Sequence, residues 1–126
     1  MSDNPYAGIH HVSLLVRDLA RALEFYCGVL GMAEAARPPL AFDGAWLDVG
    51  AGQQIHLLRL PDPCAGAELP DHGGRDRHAA FRVTDFAALV ASLERAGVAF
   101  TRSRSGRKAL FCRDPDGNAL EFVAVE

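Results

Sequence analysis

The chain predicts an α+β protein built from two copies of one β-α-β-β-β module. The segment His11-Val12-Ser13-Leu14-Leu15-Val16-Arg17-Asp18-Leu19-Ala20 aligns without a gap on His78-Ala79-Ala80-Phe81-Arg82-Val83-Thr84-Asp85-Phe86-Ala87. Near the end of each half, Ile55-His56-Leu57-Leu58 aligns on Leu120-Glu121-Phe122-Val123. In both halves a β-rich run is followed by a helix that opens on a capping side chain and closes on a glycine.

The elements follow in order. Ile9 to Val16 is a strand ending at Arg17-Asp18, and Asp18 is placed to cap a helix by accepting from its orphan N–H groups. Leu19, Ala22, Leu23, Tyr26 and Leu30 then fall at helical spacing, and Gly31 supplies the stop. Strands are expected at Leu40–Phe42, Ala45–Val49 and Gln53–Leu60, with Asp43-Gly44 and Gly50-Ala51-Gly52 as turns. The second half repeats the plan. Ala79–Val83 is a strand, Thr84 or Asp85 caps, Phe86, Leu89, Val90 and Leu93 form the apolar stripe, and Gly97 ends the helix. Strands at Ala99–Arg102, Ala109–Arg113 and Asn118–Val125 complete it, and Asp114-Pro115-Asp116-Gly117 has the residues of a type I turn. The expectation is one domain over residues 1–126: module one at about 8–60, a Pro/Gly-rich surface connection at 61–77, module two at about 78–126.

Composition narrows the class. The 126 residues are 49% hydrophobic with a net charge of −3, which describes a globular domain and argues against a nucleic-acid partner. Apolar runs fall short of the roughly 20 residues that span a bilayer, so no membrane partner is expected. Met1-Ser2-Asp3-Asn4-Pro5 has neither the basic nor the apolar region of a secretion signal. Cys27, Cys64 and Cys112 form no CxxC pair and read as reduced thiols of a cytoplasmic protein.

The repeat carries chemistry. His11 and His78 open the first strands, and His56 and Glu121 sit at related places in the last strands. Alternation puts His11 on one face with Ser13 and Leu15, His78 with Ala80 and Arg82, and Glu121 with Val123. His10 points the other way. A lone strand histidine is usually a packed or exposed residue, and His10 and His72 are read so. A carboxylate on an otherwise apolar strand is costly unless paired or bound to a metal.

The repeated module, the opening His11-Val12-Ser13-Leu14 and the stretch Asp114-Pro115-Asp116-Gly117-Asn118-Ala119-Leu120-Glu121-Phe122 resemble the vicinal oxygen chelate superfamily, from Ile9 to Val125. That group includes glyoxalase I, methylmalonyl-CoA epimerase, extradiol dioxygenases, fosfomycin-resistance thiol transferases and bleomycin-binding proteins. The resemblance implies two modules curled into one mixed eight-stranded cup, a glyoxalase-like fold, and a homodimer. It implies a divalent metal (Zn, Ni, Mn, Co or Fe) held by His11, His56, His78 and Glu121, on which a small substrate chelates while an enediolate is stabilised. Glu121, the one carboxylate of the set, is the candidate base, and glutathione is a candidate co-substrate. His56 departs from the Glu or Gln usual at that place in the glyoxalase and epimerase branches. His11, His78 and Glu121 alone match the dioxygenase and thiol-transferase set, so those reactions stay open, as does a non-catalytic binder of a drug or other small molecule. Trp46 and Phe111 are equivalent in the repeat and are candidates for an apolar pocket or for core. The basic run Arg102, Arg104, Arg107 and Lys108 reads either as a solvated hairpin tip or as an anion grip, with Arg104 and Arg107 as substrate contacts. Asp71-His72-Gly73-Gly74-Arg75 reads as a lid or a plain connection.

Overall fold

Alternating strands and two capped helices produce the same plan twice. The structure, a computed structural model, describes residues 3–125; Met1 and Ser2, which begin the N-terminal stretch read above, and Glu126 lie outside the described residues. In module one, β1 (His11–Leu15) leads to α1 (Leu19–Leu23), β2 (Ala33–Ala35), β3 (Gly44–Asp48) and β4 (Gln54–Leu58). In module two, β5 (His78–Val83) leads to α2 (Phe86–Arg95), β6 (Phe100–Arg102), β7 (Ala109–Arg113) and β8 (Ala119–Ala124). The strands form two four-stranded mixed sheets, ordered β1-β4-β3-β2 and β5-β8-β7-β6. In each, the first strand lies parallel to the last and the remaining pairs are antiparallel.

Both caps form. The Asp18 carboxylate accepts from the Arg21 N–H at 3.1 Å, and Asp85, rather than Thr84, accepts from Ala88 N–H at 3.0 Å. Gly31 (φ +79°) and Gly97 (φ +70°) follow the helices in the left-handed conformation. The first helix departs from the expected straight run to Gly31. After Leu23 it widens into a π-helical turn, Glu24–Val29, in which Leu30 N–H donates to Phe25 O at 2.9 Å. The wider turn sends the consecutive side chains Phe25 and Tyr26 both into the core, at 6% and 0% exposure.

One strand is displaced from its expected place. Leu40–Phe42 is not a strand: it follows Pro38-Pro39, and the Phe42 carbonyl is taken by Arg37 Nη2 at 2.7 Å. The edge strand is Ala33–Ala35, paired antiparallel with Trp46–Asp48.

Val16, Tyr26, Leu47, Leu57, Leu93, Leu110 and Leu120 belong to one buried cluster that spans both modules. A polar bolt joins them as well. The Asp114 carboxylate accepts from the Tyr26 hydroxyl at 2.7 Å, from Asn118 Nδ2 at 2.8 Å and from the backbone N–H of Asp116 and Asn118 at 2.9 Å each. Asn118 Nδ2 also donates to Leu15 O at 3.1 Å, and the Asp116 carboxylate accepts from Arg17 N–H at 3.1 Å. The turn itself closes as expected, with Gly117 N–H on Asp114 O at 3.0 Å.

The connection runs exposed over most of its length but docks at its end, where His72 and Gly73 are buried. A Cβ on Gly73 would lie 3.2 Å from Ala119 Cβ and 3.4 Å from Phe111 Cβ, so glycine is what allows the close approach. Arg113 pins the docked part, donating to Asp76 Oδ2 at 2.8 Å and Pro70 O at 2.6 Å on either side of it. Among the described residues no helix is long and apolar enough to cross a membrane.

Candidate metal centre

Residues opposed across a sheet share a face, and the register therefore defines the site. In the first sheet Ser13 opposes His56, which opposes Trp46; in the second Ala80 opposes Glu121, which opposes Phe111. Val12 and Leu14 pack on the core, so the neighbouring His11, Ser13 and Leu15 occupy the opposite face of β1. The four candidate ligands thus arise at equivalent places of two similar faces.

They meet in pairs. His78 Nε2 stands 3.2 Å from Glu121 Oε1, and the Glu121 side chain is only 4% exposed. The other ring nitrogen, Nδ1, lies 2.8 Å from Asp76 O, which can only accept, so Nδ1 carries a proton. A neutral His78 ring therefore presents its bare Nε2 lone pair to a carboxylate oxygen. Two lone pairs meet there unless a second ring proton or a metal cation lies between them. This is the donor set and outer hydrogen bond of a metal-ligating histidine–carboxylate pair, and the residues fit a divalent ion.

In module one the His11 and His56 rings stack at 3.9 Å with 13° between planes, and Trp46 stacks on His56 at 4.2 Å and 2°. Gln54 Nε2 donates to Asp48 Oδ1 at 3.0 Å, which turns its carbonyl toward His56 Nε2 at 2.9 Å. His56 Nε2 accordingly holds the proton and Nδ1 the lone pair. Burial holds the His56 pKa below the usual histidine range, with His11, His10 and Arg37 adding in that direction. His10 Nδ1 engages His11 Nδ1 at 2.9 Å, which leaves Nε2 of His11 for a ligand.

The two pairs do not come together within one chain: among the described residues no group of three His, Cys, Asp or Glu side chains converges on a metal-sized space. The β1 and β5 strands that carry His11 and His78 are edge strands. Between them, under the connection, lies a cavity of about 610 Å³ that includes Ser13, Cys64, His78 and Asn118; it lies beside the His78–Glu121 pair rather than over it.

The basic run divides between the two faces. Arg102 and Lys108 lie over the Phe86 ring at 5.8 and 5.6 Å, on the helix side of the sheet. Arg107 instead reaches the site, donating from Nη2 to Glu121 Oε2 at 3.0 Å. Arg104 is close enough to His72 to help hold that ring's pKa down, after burial. Phe111 packs edge-on against both His72 and His78, at 4.8 and 5.1 Å. His72, read from sequence as a packed or exposed residue, is packed, with Nδ1 2.7 Å from Thr101 Oγ1. The sequence reading missed Gln54 and the Asp76 carbonyl. Gln54 was within reach, since it shares the His56 face two residues earlier. The carbonyl carries no signal in a sequence.

The fold is thus two copies of one β-α-β-β-β module, with histidine and carboxylate side chains on matching sheet faces. The chain belongs to the glyoxalase/bleomycin resistance protein/dioxygenase superfamily, whose profile matches residues 8–122. It is 34% identical over 120 residues to "Glyoxylase I 4" of Arabidopsis thaliana, covering 90% of this chain and 68% of that one. It is 30% identical over 123 residues to a lactoylglutathione lyase of Haemophilus influenzae, covering 91% and 90%. A glyoxylase/bleomycin resistance protein/dioxygenase domain from Frankia sp. EAN1pec superposes with a TM-score of 0.74 at 30% identity, covering 96% of this chain and 99% of that one.

Proposed function

We propose that this chain is a divalent-metal-dependent lyase or isomerase of the glyoxalase type, acting as a homodimer in which each site takes His11 and His56 from one copy and His78 and Glu121 from the other. The observation that carries the reading is the His78 Nε2–Glu121 Oε1 approach at 3.2 Å, with the opposite ring nitrogen tied to Asp76 O. Similarity to a lactoylglutathione lyase and a glyoxalase I relative supports the reaction type. The separation of the two ligand pairs on two sheets, each with its histidine-bearing first strand at an edge, supports the shared site.

A bound divalent cation supplies Lewis acidity toward a substrate carbonyl. The protein's own groups do the rest. Glu121 takes a proton from the carbon that bears sulfur in a hemithioacetal and returns it to the neighbouring carbon, giving a thioester with no net change in atoms. Trp46 and Phe111 wall the site, and Arg104 holds an anionic tail such as a glutathione carboxylate, while Arg107, expected in the same role, is engaged by Glu121. A three-ligand site would instead favour thiol transfer or ring cleavage, and His56→Ala with unchanged metal affinity would point there. The flat His11–His56–Trp46 stack favours one further reading, a binding protein for a planar molecule.

Mixing two inactive variants tests the shared site. His56→Ala and Glu121→Ala are unfolded and refolded together, and metal content and turnover of methylglyoxal with glutathione are measured. Cross-chain sites predict recovery of roughly a quarter of the sites, since half the dimers are mixed and each holds one intact set. No recovery, with both variants folded, overturns the shared site. No metal uptake by the unmutated protein overturns the metal-dependent reading and leaves the binding protein.

A further inference from the structure

Arg107 and Glu121 are an unequal pair. The Arg107 side chain is 59% exposed and the Glu121 side chain 4%, so a surface guanidinium reaches inward to a buried carboxylate. The reach is built into the β6–β7 loop. Ser105 Oγ accepts from Arg107 Nε at 3.0 Å and from Arg107 N–H at 3.4 Å. It also exchanges a hydrogen bond with Ser103 Oγ at 2.8 Å, and Ser105 N–H donates back to Ser103 Oγ at 3.2 Å. Gly106, at φ +86°, lets the chain turn sharply enough to place Arg107 back over Ser105. A long flexible side chain is thereby fixed before anything binds, which removes much of the entropy cost of holding it.

The two carboxylate oxygens are divided. Oε1 faces His78 and Oε2 receives Arg107. We propose that Arg107 is a positioning residue that competes with the metal for the Glu121 carboxylate and receives it when it leaves the metal to act as base. The proposal rests on the metal-dependent reading above. Two physical effects point the same way. A guanidinium beside the carboxylate drains the charge that would attract a divalent cation, and it repels the cation once bound. The carboxylate that leaves the metal then finds a charge-assisted partner already at 3.0 Å rather than an apolar wall. Arg107 thus weakens the metal–carboxylate contact and lowers the cost of breaking it.

Zinc affinity separates this role from a scaffolding one. Metal-free protein is titrated with Zn²⁺ against a chromophoric chelator for the unmutated chain, Arg107→Ala, Arg107→Lys and Ser105→Ala, and kcat and KM are measured on the same samples. Arg107→Ala is expected to bind zinc roughly two- to fivefold more tightly, the range of a solvent-screened ion pair, and to lose kcat. Arg107→Lys, which keeps the charge, should fall between. Ser105→Ala should move the same way by less. A merely structural contact would leave zinc affinity unchanged or weaken it, and either result in a folded Arg107→Ala overturns the proposal. If Arg107→Ala does not fold, Arg107→Lys and Ser105→Ala decide by the same sign. Failure of the unmutated protein to bind zinc, nickel, manganese, cobalt or iron overturns the metal-dependent reading, and this inference with it.

Discussion

The hydroxyl of Tyr26 and the carboxylate of Asp114 meet at 2.7 Å where the two modules join, although 88 residues separate them. Burial pushes the Tyr26 pKa well up and the Asp114 pKa up, which marks both groups as costly to leave without partners. Tyr26→Phe keeps the ring and removes the donor. Urea unfolding is expected to show a loss of about 1–3 kcal/mol, because one buried carboxylate oxygen loses its hydroxyl partner. An unchanged midpoint would show that Asn118 Nδ2 alone satisfies the Asp114 Oδ2 that Tyr26 shares.

Gly44 opens β3 where the chain passes close to its neighbour. An added Cβ would collide with the Leu57 carbonyl oxygen, a backbone atom, and would lie 3.2 Å from Arg37 Nη2. Gly44→Ala should destabilise by roughly 1–3 kcal/mol, the usual cost of overpacking a close contact, while Gly28→Ala, whose added Cβ meets only Glu24 Cγ at 3.9 Å in helical backbone, costs less. Thermal unfolding of the two variants side by side tests the contrast.

Asp76 gives a pH dependence with a definite sign. Its hydrogen bond to Arg113 holds the carboxyl below the usual carboxylate range, partly offset by burial. A depressed folded value contributes stability that is fully present above the unfolded value of about 3.9 and is lost as pH falls through the folded one. Arg113→Ala removes the cause. Denaturant midpoints measured below about pH 4 should therefore fall less steeply with acid in Arg113→Ala than in the unmutated chain. Parallel curves would disprove the assignment.

The three cysteines should react at well-separated rates. Cys64 is exposed on the connection, whereas burial pushes the Cys112 thiol up to about 12 and raises that of Cys27. A chromogenic disulfide reagent at neutral pH should label Cys64 quickly, Cys27 slowly and Cys112 only on unfolding. Mass mapping of the first adduct to Cys112 would contradict this burial.

Much of the fold was legible because its signals are local. Asp18 and Asp85 cap through their own carboxylates, Gly31 and Gly97 take conformations that glycine adopts cheaply, and Asp114-Pro115-Asp116-Gly117 writes its turn into four residues. The edge strand was not legible. Ala33-Glu34-Ala35 has little strand propensity and becomes a strand through Trp46–Asp48 beside it, while Leu40–Phe42 looks more strand-like and is held in a loop by Arg37. The π-helical turn was equally hidden, since only packing reveals that both Phe25 and Tyr26 need to face inward. At the site, alternation placed the faces of His11, His78 and Glu121, and the repeat put His56 at the position equivalent to Glu121. What it could not give was distance: Arg107 lies 14 residues from Glu121, beyond any periodicity, and is brought there by the shape of its loop.

Trp46 is the only tryptophan of the chain, and its indole lies 4.2 Å from the His56 ring with 2° between their planes. Protonated imidazole quenches a stacked indole strongly and neutral imidazole weakly, and a cation bound at the proposed site would change the ring's charge again. The first module therefore carries an intrinsic optical probe. The fluorescence of one residue is expected to follow the charge state of His56, with no label attached and no substrate turned over.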